Sequence, residues 1–496
     1  MGLNALDFAV VAAYLAAVTL FGLRFRSSER TLKGYFLAGN TAPWWAISLS
    51  IVAAETSTLT VISVPGLAYA QDFRFLQLIL GYIVGRIIVA FVLVPQYFRG
   101  ELVTAYQLIE RRFGQGLRSL TAALFLATRS AAEGVRVFAV AIVVRIALGP
   151  FFGGMSSFER DLTAITVVTL LTLAYTFEGG MKAVIWTDVV QLAVYLAGAI
   201  VAVFSIRSAV PGGWNAIASV AGHAGKFRMF DWSFSVYTTY TFWSGLIGGA
   251  FLTVASHGTD QLIVQRVLSA RSQRQARAAL ISSGFAVFFQ FWLFLLIGAM
   301  LFAFYKLYPP ATPFARTDAI FPTFIATRME HVAAGVLIAA ILAAAMSNLS
   351  AALNSLSSTT IVDFYSCLFP GASEERRVRH ARLATILWAI ALFGFALLAR
   401  LGGRVLETGL SIASVAYGSL LGVFLLGVLT RSANQRGAVT GMLCGLAVNM
   451  YLWLFTAIPF TWYVLLGSFV TFSIGYGISR LAPTARRERD GIEPSI

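Results

Sequence analysis

The chain has 496 residues, 58% of them hydrophobic and 12% charged, with a mean hydropathy of +0.78 and a net charge of +15. A water-soluble domain of this length needs far more surface charge, so that class is excluded, and with it the nucleic-acid reading that the basicity would otherwise invite. Apolar stretches of about 20 residues recur throughout, the length that crosses a hydrocarbon core, and they predict an all-α polytopic membrane protein.

About thirteen spans are predicted, near residues 5–24, 44–69, 75–97, 118–148, 161–177, 182–206, 235–256, 277–305, 331–362, 380–400, 407–430, 436–457 and 460–481. The first lacks a basic leader and a small-residue cleavage site and reads as a retained span. With the N-terminus outside, the clusters RFRSSER, IERRFG, SARSQRQAR, EERRVRHAR and ARRERD all fall inside, as the positive-inside rule requires. The C-terminus is then cytoplasmic, residues 1–481 form one transmembrane domain, and 482–496 form a short charged tail. Cys367 and Cys444 fall in an inner loop and an inner helix half, so no disulfide is expected.

The second span, AISLSIVAAETSTLTVISVPG, holds Glu55 in its middle, where a carboxylate costs about 2.5 kcal/mol or more if it faces lipid. A helix break there removes it from lipid and leaves three roles: accepting N–H groups at the start of the second half-helix, pairing with Arg86 of the third span, or helping to set an ion beside Asn348. The fourth span carries Arg129, Glu133 and Arg136 at i, i+4 and i, i+3 spacing, read as an ion-pair ladder along one face. Asp188 lies in the sixth. The seventh, GLIGGAFLTVASHGTDQ, concentrates Gly245, Gly248, Gly249 and Gly258, a density that means unwinding or close helix packing. Two interrupted spans five apart, with Glu55 and Asp260 at the breaks, point to an inverted-repeat secondary transporter. In the ninth span, LAAAMSNLSAALNSLSSTT, residues Ser347, Ser350, Asn354 and Ser357 make a polar stripe at 3–4 spacing, read as a site for a hard monovalent cation rather than as packing.

The stretches YFLAGNTAPWWAISLSIVAAETST, TAYQLIERRFG, FEGGMKAVIWTDVVQ, GTDQLIVQRVLSARS and AAAMSNLSAALNSLSSTTI together resemble the sodium/solute symporter family over about residues 5–480. The resemblance implies a leucine-transporter-type core of two inverted five-helix repeats, here 44–206 and 235–430, with one extra helix before and two after. It implies a sodium held by the carbonyls of Ala53, Thr56 and Ala344 and the side chains of Ser347 and Asn348. Asn348 departs from the hydroxyl usual in the sugar and sialic acid types, and its NH₂ must find an acceptor. A second cation would fall on Asp188, Ser347 and Ser350, but Ala351 stands where a third hydroxyl is expected. Cargo contacts fall by position on Ser57, Thr60 and Asp260, with Gln77 a weaker candidate.

The expected function is therefore sodium-coupled symport of a small polar organic solute (sugar, polyol, amino acid or carboxylate) into the cell by alternating access across the plasma membrane. Asp260 favours an amine or polyol. A proton-coupled transporter on the same fold is the nearest rival, since Glu55 and Asp260 titrate; a transporter-like sensor without net transport is the other. No enzyme motif, metal-ligand cluster or nucleic-acid partner is expected.

Overall fold

The computed structural model describes residues 3–25, 31–100, 102–148, 154–310, 312–314, 316–399 and 405–481. Among these the regular structure is all helix, with no strand beyond a single bridge between Ala42 and Ala270. Helix α1 (Ala5–Leu23) starts at a capping box in which Asn4 and Asp7 satisfy each other's backbone N–H groups. Helices α2 (Trp44–Glu55) and α3 (Thr58–Ala70) are the two halves of the second predicted span, bent by 63° at the residues between them. There Thr56 and Ser57 adopt extended backbone, so the helical ladder closes where Thr56 N–H reaches the Val52 carbonyl at 3.0 Å.

Helix α4 (Phe73–Tyr97) contains a π-turn, α5 (Tyr106–Phe113) lies in a connection, and α6 (Gln115–Leu148) follows. Helix α7 (Ser157–Ala209) kinks at Gly180, whose φ of 52° and contact with the Tyr35 carbonyl admit no side chain. A π-turn at Ser244–Gly248 leads into α8 (Gly249–Gly258), and α9 (Gln261–Leu268) resumes after a break at Thr259 and Asp260. The long helices α10 (Gln273–Leu307), α11 (Ala333–Leu368), α12 (Glu374–Ala399), α13 (Val405–Leu429), α14 (Gln435–Phe455) and α15 (Tyr463–Leu481) complete the chain.

Nine helices among the described residues are long and apolar enough to cross a membrane, or ten if α2 and α3 count as one broken span. The spans expected at 118–148 and 161–177 are helical, and that at 235–256 is helical only from Phe242; none joins that count. The first carries Arg129, Glu133 and Arg136, and the last is shortened at its start, where residues 235–241 are not helical. The chain is thus a multi-pass helical membrane protein, with a span number below the expected thirteen by the criteria of length and apolarity.

Helix α11 is the hub. Almost wholly buried, it packs against α1, α2, α6, α7, α9 and α12, so both broken spans border it. The glycines of the seventh predicted span divide their work. A Cβ on Gly245 would come within 2.6 Å of the Gln77 backbone, one on Gly249 within 3.2 Å of Gly81 Cα, and Gly248 abuts the backbone of Thr461. Three of the four glycines therefore serve close packing of α4 and the Thr461 turn against this helix. Gly258 marks the break, and its freed carbonyl accepts the Tyr97 hydroxyl.

Candidate substrate and sodium site

Both breaks solve the same problem, which is to satisfy backbone groups released in the bilayer. At the first, the Thr56 hydroxyl donates to the Val52 carbonyl at 2.7 Å and accepts Gln290 Nε2 at 2.6 Å. At the second, the Thr259 hydroxyl donates to the Ala255 carbonyl at 2.9 Å. Asp260 then caps α9, accepting Leu262 N–H at 2.8 Å on one oxygen and the Tyr417 hydroxyl at 2.5 Å on the other.

Beside the breaks lies a cavity of about 110 Å³. Its wall includes Glu55, Ser57 and Thr60 from the first break, Ser256, His257 and Asp260 from the second, Arg129 and Arg136 from α6, and an apolar side of Phe75, Tyr82 and Phe291. The structure thus brings Ser57, Thr60, Asp260 and Glu55 together. It does not bring Gln77 there. That side chain is buried near the start of α4, donating to the carbonyls of Arg74 (3.1 Å) and Tyr240 (3.3 Å) and accepting Asp231 N–H (2.9 Å). Gln77 instead pins the 224–243 connection. Within that connection the hydroxyl and backbone N–H of Ser233, with Arg74 beside them, hold the Asp231 carboxyl below its usual range.

Glu55 forms an ion pair with Arg86, which is fully buried while Glu55 keeps 17% exposure at the cavity. Arg86 also donates to Ser283 Oγ at 3.1 Å and to the Tyr82 carbonyl at 3.3 Å. His257 Nε2 stands 3.7 Å from the same Glu55 carboxylate. Of the three roles open to Glu55, the pairing with Arg86 is the one the geometry forms. Glu55→Gln is expected to lower stability by about 1–3 kcal/mol, because the amide oxygen still accepts from Arg86 but carries no charge. Thermal unfolding of the purified protein checks this, with Glu55→Gln/Arg86→Met recovering most of the loss.

The ladder on α6 exists, with Arg129 and Arg136 each donating to Glu133 Oε2 at 3.0 Å. Read as purely structural, it was incomplete. Both arginines also face the cavity, and Arg129 lies 3.5 Å from Asp260. Sequence spacing shows that the three charges share a face but not what that face meets. His257 and Tyr417 give no signal in the sequence for a related reason: one stands as a lone histidine and the other lies 157 residues from its partner Asp260.

The polar stripe of α11 also divides. Ser350 bonds back to the Ser347 carbonyl at 3.0 Å, Asn354 accepts Gln265 Nε2 at 2.5 Å, and Ser357 donates to the Ala381 carbonyl at 2.7 Å. The first bond stays within α11 and the other two tie it to neighbouring helices, the packing role that the cation reading had set aside. Only the upper end of the stripe meets the first break. Ser347 Oγ donates to Asp188 at 2.6 Å, which turns its lone pairs elsewhere, and Asn348 Nδ2 donates to the Ala54 carbonyl at 3.2 Å. The amide has found its acceptor, while Asn348 Oδ1 is buried with no hydrogen-bond partner. A neutral oxygen left without a donor, next to a broken helix end, suits a hard cation. Ala53, Thr56, Ala344 and Ser347 are each buried as well.

Asp188 is fully buried and already paired. Arg266 Nη2 reaches it at 2.9 Å, Ser50 Oγ at 2.5 Å, and Arg266 Nε bonds the same Ser50 at 2.8 Å. One carboxylate thus ties α2, α7, α9 and α11. Among the described residues no group of three or more His, Cys, Asp or Glu side chains could hold a metal ion.

The sequence profile of the sodium:solute symporter family matches residues 35–445. The chain is 30% identical to a sodium/sialic acid symporter of Proteus mirabilis over 93% of its own length and 92% of the relative's. It is 27% identical to the mouse sodium-coupled monocarboxylate transporter 1, over 90% of this chain and 72% of the relative. A substrate-bound, outward-open sodium-coupled sialic acid symporter superposes with a TM-score of 0.87 at 29% identity, covering 97% of this chain and 98% of that one. Sodium is the coupling ion, and the chemistry is transport of a small solute rather than catalysis. The chain belongs to the sodium:solute symporter family.

Proposed function

We propose that this symporter moves a small organic carboxylate into the cell together with one sodium ion. The reading is carried by Arg136, which lines the cavity at 18% exposure and gives one of its five N–H donors to Glu133. Arg129 stands beside it, and His257 Nε2 has no hydrogen-bond partner. Donors therefore face the cargo, whereas Asp260, which had suggested an amine or polyol, is spent on Tyr417, Leu262 and Arg129.

Charge balance supports the same reading. Arg129 and Arg136 are matched by Glu133 and Asp260, and Arg86 by Glu55, so the empty site is neutral. Sodium alone would add an uncompensated charge inside the bilayer, where a charged side chain costs about 2.5 kcal/mol or more; a carboxylate arriving with it cancels that charge. The cavity of about 110 Å³ is smaller than the roughly 150 Å³ that accommodates benzene, which favours a short-chain acid.

In this reading sodium takes the carbonyls of Ala53, Thr56 and Ala344 with Ser347 Oγ and Asn348 Oδ1, and cargo meets Ser57, Thr60 and Arg136. Arg266 supplies the positive charge that a second cation would bring to Asp188 and Ser350, so one ion is carried. The two breaks, each with a threonine bonded four residues back, support inverted repeats at 44–206 and 235–430. The basic loops support an N-terminus outside and a cytoplasmic C-terminus. Sodium-driven uptake of labelled lactate and pyruvate in proteoliposomes tests the assignment, with a neutral polyol as control. Arg136→Gln should raise the carboxylate KM about tenfold or more, the worth of a charged hydrogen bond, with sodium half-saturation unchanged. Sodium-driven uptake of the polyol but not of the acids would overturn it, as would acid uptake driven by pH without sodium.

A further inference from the structure

A small cavity of about 10 Å³ adjoins both the transport cavity and the proposed ion site. It shares Ser57 and Arg136 with the transport cavity, and Asn348 lines it from α11. Thr58, the first residue of α3, and Glu133 of α6 complete its polar wall, and the rest is aliphatic.

Thr58, Glu133 and Asn348 are all buried, and each has one oxygen without a hydrogen-bond partner: Thr58 Oγ1, Glu133 Oε1 and Asn348 Oδ1. The other polar atoms of the two longer side chains are engaged. Glu133 Oε2 accepts Arg129 and Arg136, both at 3.0 Å, and Asn348 Nδ2 donates to the Ala54 carbonyl at 3.2 Å. Buried polar atoms are rarely left unpaired, so three around one space call for a ligand. Two of these oxygens only accept, whereas the hydroxyl can donate. The ligand must therefore offer two donors and one acceptor. A cation there would face the Arg136 guanidinium, and an anion the Glu133 carboxylate. The volume is about that of one probe sphere, the least that holds a water molecule.

We infer that one water molecule binds here, donating to Glu133 Oε1 and Asn348 Oδ1 and accepting from Thr58, and that through it Glu133 couples sodium to cargo. The inference rests on the placement of sodium at Asn348 and of cargo at Arg136 proposed above. An amide oxygen has two lone pairs, enough for the ion and the water together. Sodium fixes Asn348 Oδ1, and the water carries that orientation to Glu133 Oε1. The other oxygen of the same carboxylate holds both guanidinium groups, so Arg136 is pre-organised for cargo when the ion is in place. By linkage, cargo tightens sodium binding by the same factor. Glu133 does not line the transport cavity and acts through Arg136, as a positioning residue.

The test uses the full chain and has two arms. A cryo-electron-microscopy map that resolves waters, recorded in sodium without cargo, should show one water within reach of the three oxygens, and Thr58→Val should lose it. In proteoliposomes, KM is measured at limiting and at saturating sodium. The probe is pyruvate, lactate or mannitol, whichever sodium drives into vesicles of the parent. Sodium should lower KM about fivefold or more in the parent and about twofold or less in Thr58→Val. Thr58→Ser, which keeps the hydroxyl, should retain the parent ratio, and sodium-dependent thermal stabilisation of both variants shows that they are folded. No water at the three oxygens would overturn the inference. So would a sodium effect on KM in Thr58→Val equal to the parent's, because a purely structural role for Thr58 moves both KM values together. Uptake of none of the three solutes would strike the cargo reading alone, since the map is read without cargo.

Discussion

Replacing Arg266 with methionine is expected to destabilise the protein by about 3–5 kcal/mol and to abolish sodium-driven uptake. The residue is fully buried, and so is Asp188, to which it donates at 2.9 Å. Methionine fills much of the space but leaves Asp188 with hydroxyl partners alone, from Ser50 and Ser347. Breaking a buried pair costs far more than the pair itself is worth, because the remaining charge is stranded in a low dielectric. The matched variant Asp188→Asn/Arg266→Met should therefore recover most of the stability. Thermal unfolding in detergent, read as a double-mutant cycle, decides the matter. If the single and double variants were equally unstable, the arginine would be needed for its packing rather than for its charge.

The cycle also separates structure from coupling. In Arg266→Met, Asp188 is free to take a cation from solution, so sodium should stabilise this variant more strongly than the parent. Equal sodium dependence in the two proteins would place the ion away from Asp188.

Much of this arrangement was legible in the sequence, and the reason is economy in a membrane. An ionisable group inside a span needs a partner or a cavity, so Glu55, Arg86, Asp188 and Asp260 announce themselves as soon as the spans are drawn. The breaks at Thr56 and Asp260 were legible for the same reason, as were the family and its coupling ion from motif order. What a helix face meets was not legible. Arg129 and Arg136 have the spacing of a self-neutralising ladder and do form one, yet the same guanidinium groups border the transport cavity. Gln77 lies between Phe75 and Tyr82, which do line it, but its amide is consumed by the Arg74 and Tyr240 carbonyls. The stripe on α11 followed helical period correctly, but period cannot say which hydroxyls bond their own helix. Ser350 does, Ser357 crosses to α12, and Ser347 reaches Asp188. Those choices are fixed by partners hundreds of residues away.

The second large effect falls on Asn348, and two substitutions divide its roles. Asn348→Leu keeps the approximate volume but removes both polar atoms, so the Ala54 carbonyl loses its donor and the proposed ion loses an oxygen. Sodium half-saturation for uptake should rise by more than tenfold, since a hydrogen bond or ligand to a charged species is worth about 1.5–3 kcal/mol. Asn348→Ser restores an oxygen of the type usual in sugar-transporting relatives and sheds the NH₂ group; it should hold sodium half-saturation within about threefold, because a hydroxyl remains a competent hard ligand. Ser347→Ala should resemble the leucine variant, with a further loss of stability because Asp188 gives up its 2.6 Å hydroxyl partner. Sodium-activation curves measured in proteoliposomes rank the variants, and their shape bears on stoichiometry. With Arg266 supplying the positive charge at Asp188 and Ala351 offering no hydroxyl, activation should be hyperbolic with a slope near one. A sigmoidal curve that became hyperbolic only on Asp188→Asn would mean that a second ion shares the carboxylate with the arginine.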